Sequence, residues 1–413
     1  MRTRKVEEPE RHALRALASA NFAVGGMSYG VVGALPALVE AWHISPGEAA
    51  LLMTAFSIAF AVGAPLLQVL VGHSRRRTLL LTGLVVMLLA TLAGAFTASF
   101  AWLLATRIVA GLGAAIVSPV ANAIGAGLAP AERRGKALAV VFAGVTLSSV
   151  VAAPAAAALA QALGWRAVFI GLAMMAAGSL GWILATVRDT SYGEPMRPRG
   201  LLQLLLRPAT AAGLAVVVLQ TAAFFATYTL ILPLITGHFG ASAAEGGIAL
   251  LLFGLTGIAG NLIAQRVSLH HSADRLLRIV MVTMTLVFSA IAVLGVPFWS
   301  EVFRLGLLFL LLVIWAVTQD VFYPSQLRRV VALEPGYRGM VIALNSSGIF
   351  LGIALGSGVG GRVADHAGLL WLAPASAALT LLAFGALAAS QRAAPQSKDE
   401  RATAAQTPAC TMS

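Results

Sequence analysis

The stretch from Ser118 to Gly144, SPVANAIGAGLAPAERRGKALAVVFAG, joins the end of one apolar segment to the start of the next through a short basic loop. Nearly the same statement recurs from Tyr323 to Gly348, YPSQLRRVVALEPGYRGMVIALNSSG. Pro119 and Pro130 stand eleven residues apart, as do Pro324 and Pro335; Gly135 and Gly144 stand nine apart, as do Gly339 and Gly348. The copies are offset by 205 residues at the prolines and 204 at the glycines, about half of the 413-residue chain. A repeat at half length dictates architecture. A second pair, Gly63-Ala-Pro-Leu-Leu-Gln68 and Gly260-Asn-Leu-Ile-Ala-Gln265, recurs 197 residues later, each copy ahead of a basic loop.

The residues flanking these repeats are 59% hydrophobic and 11% charged across the whole chain. A soluble domain carries about 25% charged residues, and a bilayer is crossed by roughly 20 apolar ones. Twelve such spans are read, at about 16–40, 49–72, 78–97, 101–125, 136–161, 166–187, 209–236, 245–266, 277–297, 303–328, 338–363 and 369–389. The expected fold class is an all-α polytopic membrane protein with twelve transmembrane helices in two six-helix pseudo-symmetric halves related by an axis along the membrane normal. The expected organisation is an N-terminal cytoplasmic segment 1–15, a first bundle 16–187, a linker 188–208 containing Pro195 and Pro198, a second bundle 209–389, and a polar tail 390–413 expected to be disordered.

The net charge of +12 has a topological reading. With the N-terminus inside, 24 of the 28 Lys and Arg residues fall in cytoplasmic segments, and the outer loops are short and nearly neutral. The basic loops lack the interleaved aromatics that single-strand nucleic acid binding uses, so nucleic acid is not an expected partner. The single Cys410 excludes a disulfide framework. His270-His271 lacks metal-ligand spacing, and no Gly-rich loop leads into Lys-Ser or Lys-Thr, so neither a metal site, a nucleotide-driven pump nor a cofactor is expected. No nucleophile–base set stands among the spans, so an enzyme is not expected. Abundant Ala and an excess of Arg over Lys point to a bacterial inner membrane.

Two charges lie inside the spans. Arg107 sits several residues inside span four, where a guanidinium costs a few kcal/mol unless it meets a partner or cavity. Asp320 is the one carboxylate well inside a predicted span, in the run Trp315-Ala-Val-Thr-Gln-Asp320-Val-Phe-Tyr323-Pro324. An intramembrane acid is a candidate proton carrier. Neither charge repeats: at the offset of 205, Asp320 falls opposite Ala115 and Arg107 opposite Leu312.

Several stretches carry a family resemblance: Val32-Gly-Ala-Leu-Pro36, Gly63-Ala-Pro-Leu-Leu67, Arg107 with Gly111-Leu-Gly113, and Gly144 through Pro154 to Gly164-Trp165-Arg166. With the twelve-span repeat, they resemble the major facilitator superfamily, within it the drug:proton antiporters that include sugar, arabinose and nucleoside efflux permeases. The resemblance implies a secondary active transporter, with proton-coupled efflux of small amphiphilic compounds by alternating access. The alternatives are uniport or import of a neutral solute, or a non-transporting sensor on the same fold. It implies a part in proton coupling for Arg107, to which the residues themselves add Asp320 as the candidate acid, since the acid that related permeases often carry in span one falls on Ser28 here; it also implies a cavity lined by spans one and seven. The candidates there are Asn21, Ser28, Tyr29, Gln220, Phe224 and Tyr228, with Asn345 from span eleven. Gating candidates are Arg76 and Arg77, which match the family's loop after span two, and Gly144 and Pro154 in span five. That loop departs from the pattern, because the family's acid falls on Gly72. Substrate, protons and lipid are the expected partners of a chain working as a monomer.

Overall fold

The structure is a computed structural model and describes residues 2–130, 133–193, 198–296, 298 and 300–394. Twelve of its helices are long and apolar enough to cross a membrane. In chain order spans one to six are Arg2–Trp42, Pro46–Val71, Arg76–Ala95, Phe100–Leu128, Arg134–Leu163 and Trp165–Thr186. Spans seven to twelve are Pro208–Tyr228, Ala243–Val267, Ala273–Leu294, Glu301–Leu333, Arg338–Ala367 and Leu372–Ala393. Among the described residues the sole β-type pairing is an isolated bridge between Arg75 and Tyr192. Hydrocarbon cannot satisfy a backbone N–H or C=O, so each span closes its own bonds as a helix. With twelve crossings, the start of span one and the end of span twelve lie on one side, called here the termini face; the other is the far face.

Four elements differ from the sequence reading. Residues 2–15, expected as a separate segment, are the first turns of span one, with Ala13 and Leu14 buried. The linker contains its own helix, Pro198–Leu205. The helix of span twelve continues to Ala393, and the rest of the expected tail, 395–413, lies outside the described residues. Span seven, expected to run unbroken to 236, stops at Tyr228 and resumes at Ile231–Pro233, followed by a π-turn over Leu234–His238. Pro233 has no N–H to give the carbonyl four residues back, at Thr229, and the break falls there.

Small residues set how closely the helices pack. Span one lies along span five, and span seven along span eleven, as the repeat demands. A Cβ placed on Gly144 would fall 1.9 Å from the carbonyl oxygen of Ala18 in span one. Without a hydrophobic force between helices in lipid, such close approach supplies the packing. The repeat also reaches the helix caps. Ser45 and Glu48 form a capping box at the start of span two, and Ser242 and Glu245 form the same box at span eight, offset by 197. The halves meet where span two packs on span eleven and span five on span eight.

Replacing Gly144 with Val should destabilise the protein by roughly 1–3 kcal/mol through overpacking. Thermal unfolding in detergent checks this, with Gly127→Ala as control, since a Cβ at Gly127 meets no atom within 4 Å.

Candidate functional site

Span seven carries Gln220, Phe224 and Tyr228 at intervals of four, hence on one helix face. Phe224 and Tyr228 stack with centroids 4.8 Å apart. Trp315 of span ten and Phe253 of span eight complete the group, each an edge or tilted partner of both rings. Tyr29 of span one reaches across from the other half, 6.3 Å edge-on to Tyr228 and 6.2 Å from Phe225. Tyr29 is the partly exposed member; Phe224, Tyr228 and Trp315 are buried.

Among the buried polar groups of these spans, Gln220 leaves both side-chain atoms unbonded and Asn345 its Oδ1, while Thr221 and Gln319 hydrogen-bond Tyr323. A buried amide lacking hydrogen bonds costs a few kcal/mol, so Gln220 marks a place where another molecule or water completes the bonding. Thr221 stands in span seven beside the candidate Gln220, and Gln319 stands next to Asp320 in the chain.

Asp320 is partly buried. Its Oδ2 lies against span eight, where a Cβ on Gly257 would sit 2.4 Å away, and its charge acts on Tyr29, Tyr228 and Tyr323. Among the described residues no cation pairs with it. Arg107 lies elsewhere, in the first half, 1% exposed. Its Nη2 donates to the Met27 carbonyl at 2.6 Å and its Nε to the Leu52 carbonyl at 3.4 Å, and the guanidinium lies 4.4 Å over the Phe56 ring. Its Nη1 has no partner. The structure therefore does not bring the two intramembrane charges together, and Arg107 ties spans one, two and four.

The other candidates divide. Asn21 donates to Val141 O at 3.1 Å and to Asn122 Oδ1 at 3.0 Å, linking span one to spans five and four. Ser28 is buried and bonds only weakly, at 3.5 Å, to Val24 O of its own helix. Gly144 and Pro154 both lie in the span-five helix. Arg77 donates to Val187 O at 2.7 Å and Leu184 O at 3.3 Å, capping the end of span six. The Arg76 backbone N–H donates to Ser191 O at 3.0 Å. Arg77 thus binds within its own half, and Arg76 binds the linker.

Beyond the Tyr29 ring contacts, other contacts across the halves come from residues the sequence did not single out. Phe60 of span two stacks on Phe350 of span eleven at 3.5 Å, with Phe56 6.4 Å from the same ring. The hydroxyls of Thr54 and Ser357 bond at 2.7 Å.

Residues 17–271 and 213–411 match the family described as Major Facilitator Superfamily. The chain belongs to that superfamily. It is 27% identical over 354 residues to the inner membrane transport protein YdhP of Escherichia coli K12, covering 85% of this chain and 88% of the relative. It is 33% identical over 261 residues to a chloramphenicol resistance protein of Streptomyces lividans, covering 62% of this chain and 66% of that one. In fold it resembles a D-xylose–proton symporter, with a TM-score of 0.74 at 17% identity over 94% of this chain and 98% of that one. This member of the superfamily is a multi-pass membrane transporter and not an enzyme.

Arg107 provides a stability test. Its carbonyl partners already accept helix bonds, and no carboxylate pairs with it among the described residues. Replacing an unpaired buried charge with an apolar side chain of similar length is often neutral or stabilising. Arg107→Met should therefore keep stability within about 1 kcal/mol of the parent or raise it, whereas Arg107→Ala should lower it by roughly 2–3 kcal/mol by emptying the space beside Phe56. Thermal unfolding of the two variants distinguishes them.

Proposed function

We propose that this transporter is a proton-coupled exporter of small amphiphilic compounds, working by alternating access of its two six-helix halves in a bacterial inner membrane. Residues 16–187 and 209–389 are the moving bodies, the linker 188–208 joins them, and both termini are cytoplasmic. The observation that carries the reading is Asp320, a partly buried carboxylate with no cationic partner among the described residues, in the span that also supplies Trp315 to the rings of Phe224 and Tyr228.

In this reading Asp320 carries the proton. Its charge acts on Tyr29, Tyr228 and Tyr323, so protonation changes the field in which substrate sits. Substrate bonds the side chains of Gln220 and Asn345, whose polar atoms lack partners, and lays an apolar body near Tyr29. Phe224 and Tyr228, already packed on Trp315, give that wall its shape. Arg107 acts at a distance, by fixing spans one, two and four around Phe56. Export is supported by the similarity to a chloramphenicol resistance protein. The basic segments favour cytoplasmic termini. One chain holds all these groups, which suits a monomer.

Chloramphenicol is the first compound to test. In proteoliposomes with a trapped pH-sensitive dye, Asp320→Asn should abolish substrate-driven proton movement, at least tenfold below the parent, while substrate counterflow without a pH gradient persists. Proton movement at the parental rate in Asp320→Asn would remove Asp320 from the mechanism.

A further inference from the structure

On the far face the halves close at two corners that the internal repeat relates. At one, the start of span two meets the end of span eleven; at the other, the start of span eight meets the end of span five. Ser45 corresponds to Ser242 at the offset of 197, and Asp365 corresponds to Gln161 at the offset of 204. The backbone geometry repeats but the chemistry does not.

At the first corner, the Ser45 hydroxyl donates to Asp365 Oδ2 at 2.8 Å and the Gly47 N–H donates to Asp365 Oδ1 at 3.0 Å. The carboxylate of one half thus caps the first turn of a helix in the other, where free N–H groups and the positive end of the helix dipole favour an anion. Gly47 is required for this approach: a Cβ there would lie 2.1 Å from the Asp365 carboxylate and 2.5 Å from the Gly361 carbonyl oxygen. Deeper along the same seam come the Thr54–Ser357 bond and the Phe60–Phe350 stack. At the sister corner, Gln161 Nε2 reaches the Ala243 carbonyl oxygen only at 3.5 Å. On the termini face, the loop after span two holds Gly72 where the family pattern has an acid; its Arg77 bonds the end of span six, and its Arg75 and Arg76 bond Tyr192 and Ser191 of the linker.

We propose that Asp365 is the gate residue of the far face. Its bonds to Ser45 and Gly47 hold spans two and eleven together in the state closed on that side. Substrate passes the far face only after those bonds part, and opening begins at the weaker corner between Gln161 and Ala243. Glu48 sits beside the clasp but is already committed, its Oε2 accepting from the Ser45 N–H at 2.8 Å. Asp365 is solvent-exposed, so an anion on a helix start there shifts the closed-to-open ratio by roughly three- to tenfold rather than by orders of magnitude.

The test needs neither substrate nor proton gradient, so it stands or falls apart from the proposed transport function. In full-length protein with Cys410→Ser, a reporter cysteine replaces Ala50, which is fully buried and lies 3.4 Å from where a Cβ on Gly361 would sit. A membrane-impermeant maleimide is added from the far side of vesicles. Asp365→Ala should raise the labelling rate roughly three- to tenfold, and Gly47→Leu, which wedges the corner, should raise it at least as much. Asp365→Asn, which keeps an acceptor but loses the charge, should fall between Asp365→Ala and the parent. Gln161→Ala should change the rate less than twofold. If Gly47→Leu raises labelling while Asp365→Ala leaves it within twofold of the parent, the carboxylate is not the gate. If neither variant moves it, or Gln161→Ala matches Asp365→Ala, the proposal is equally overturned.

Discussion

Hydrocarbon gives a backbone N–H or C=O nothing to bond with, and the rest of this structure follows from that. Each span must satisfy its own backbone, so the chain crosses as helices. The same solvent removes the hydrophobic force between helices and leaves van der Waals contact and the few polar bonds to join them. Hence span one reaches span five through Gly144 at backbone distance, and the row Gly348, Gly352, Gly356 and Gly360 serves span eleven against span seven. Where one helix bond is lost, at Pro233, the helix breaks at Thr229 and Leu230 and recovers through a π-turn.

Much of this was legible in the chain. Half-length repetition, apolar segments near the length of a bilayer and basic loops at regular intervals are local or periodic signals, and they led to twelve spans in two related halves. What escaped were features that composition averages away. An apolar window through Pro233 has the same hydropathy whether or not its helix is broken. The turns before residue 16 are too polar to read as membrane, yet they extend span one because a helix already formed lengthens at little cost.

The candidate site was legible in part for a related reason. Residue type marked Asp320, Arg107 and the span-seven aromatics as unusual, since each is costly or bulky in its setting. Residue type does not report what stands opposite. Thr54 bonds Ser357 and Phe60 stacks on Phe350 across about 300 residues of chain, and no spacing rule connects them. Asp365 read as an unremarkable acid at the end of a span. Its partner is the start of another helix, and only docking of the halves brings that start within 3.0 Å.

Symmetry separates scaffold from function. The capping boxes of spans two and eight, the small-residue rows of span five (Gly144, Ser148, Ala152, Ala156) and span eleven (Gly348, Gly352, Gly356, Gly360) and the proline-framed loops all recur, because both halves solve the same packing problem. Arg107, Asp320 and Asp365 do not recur; their counterparts are Leu312, Ala115 and Gln161. Two of the three also lie one contact or less from the boundary between halves. Arg107 rests on Phe56, which faces Phe350, and Asp365 bonds Ser45 and Gly47 directly. A charge that served only to hold its own bundle together would be needed twice and could sit anywhere in it. Charges present once, placed where the bundles meet, are arranged to distinguish one relative position of the halves from another, and a transporter that alternates between two such positions requires that distinction.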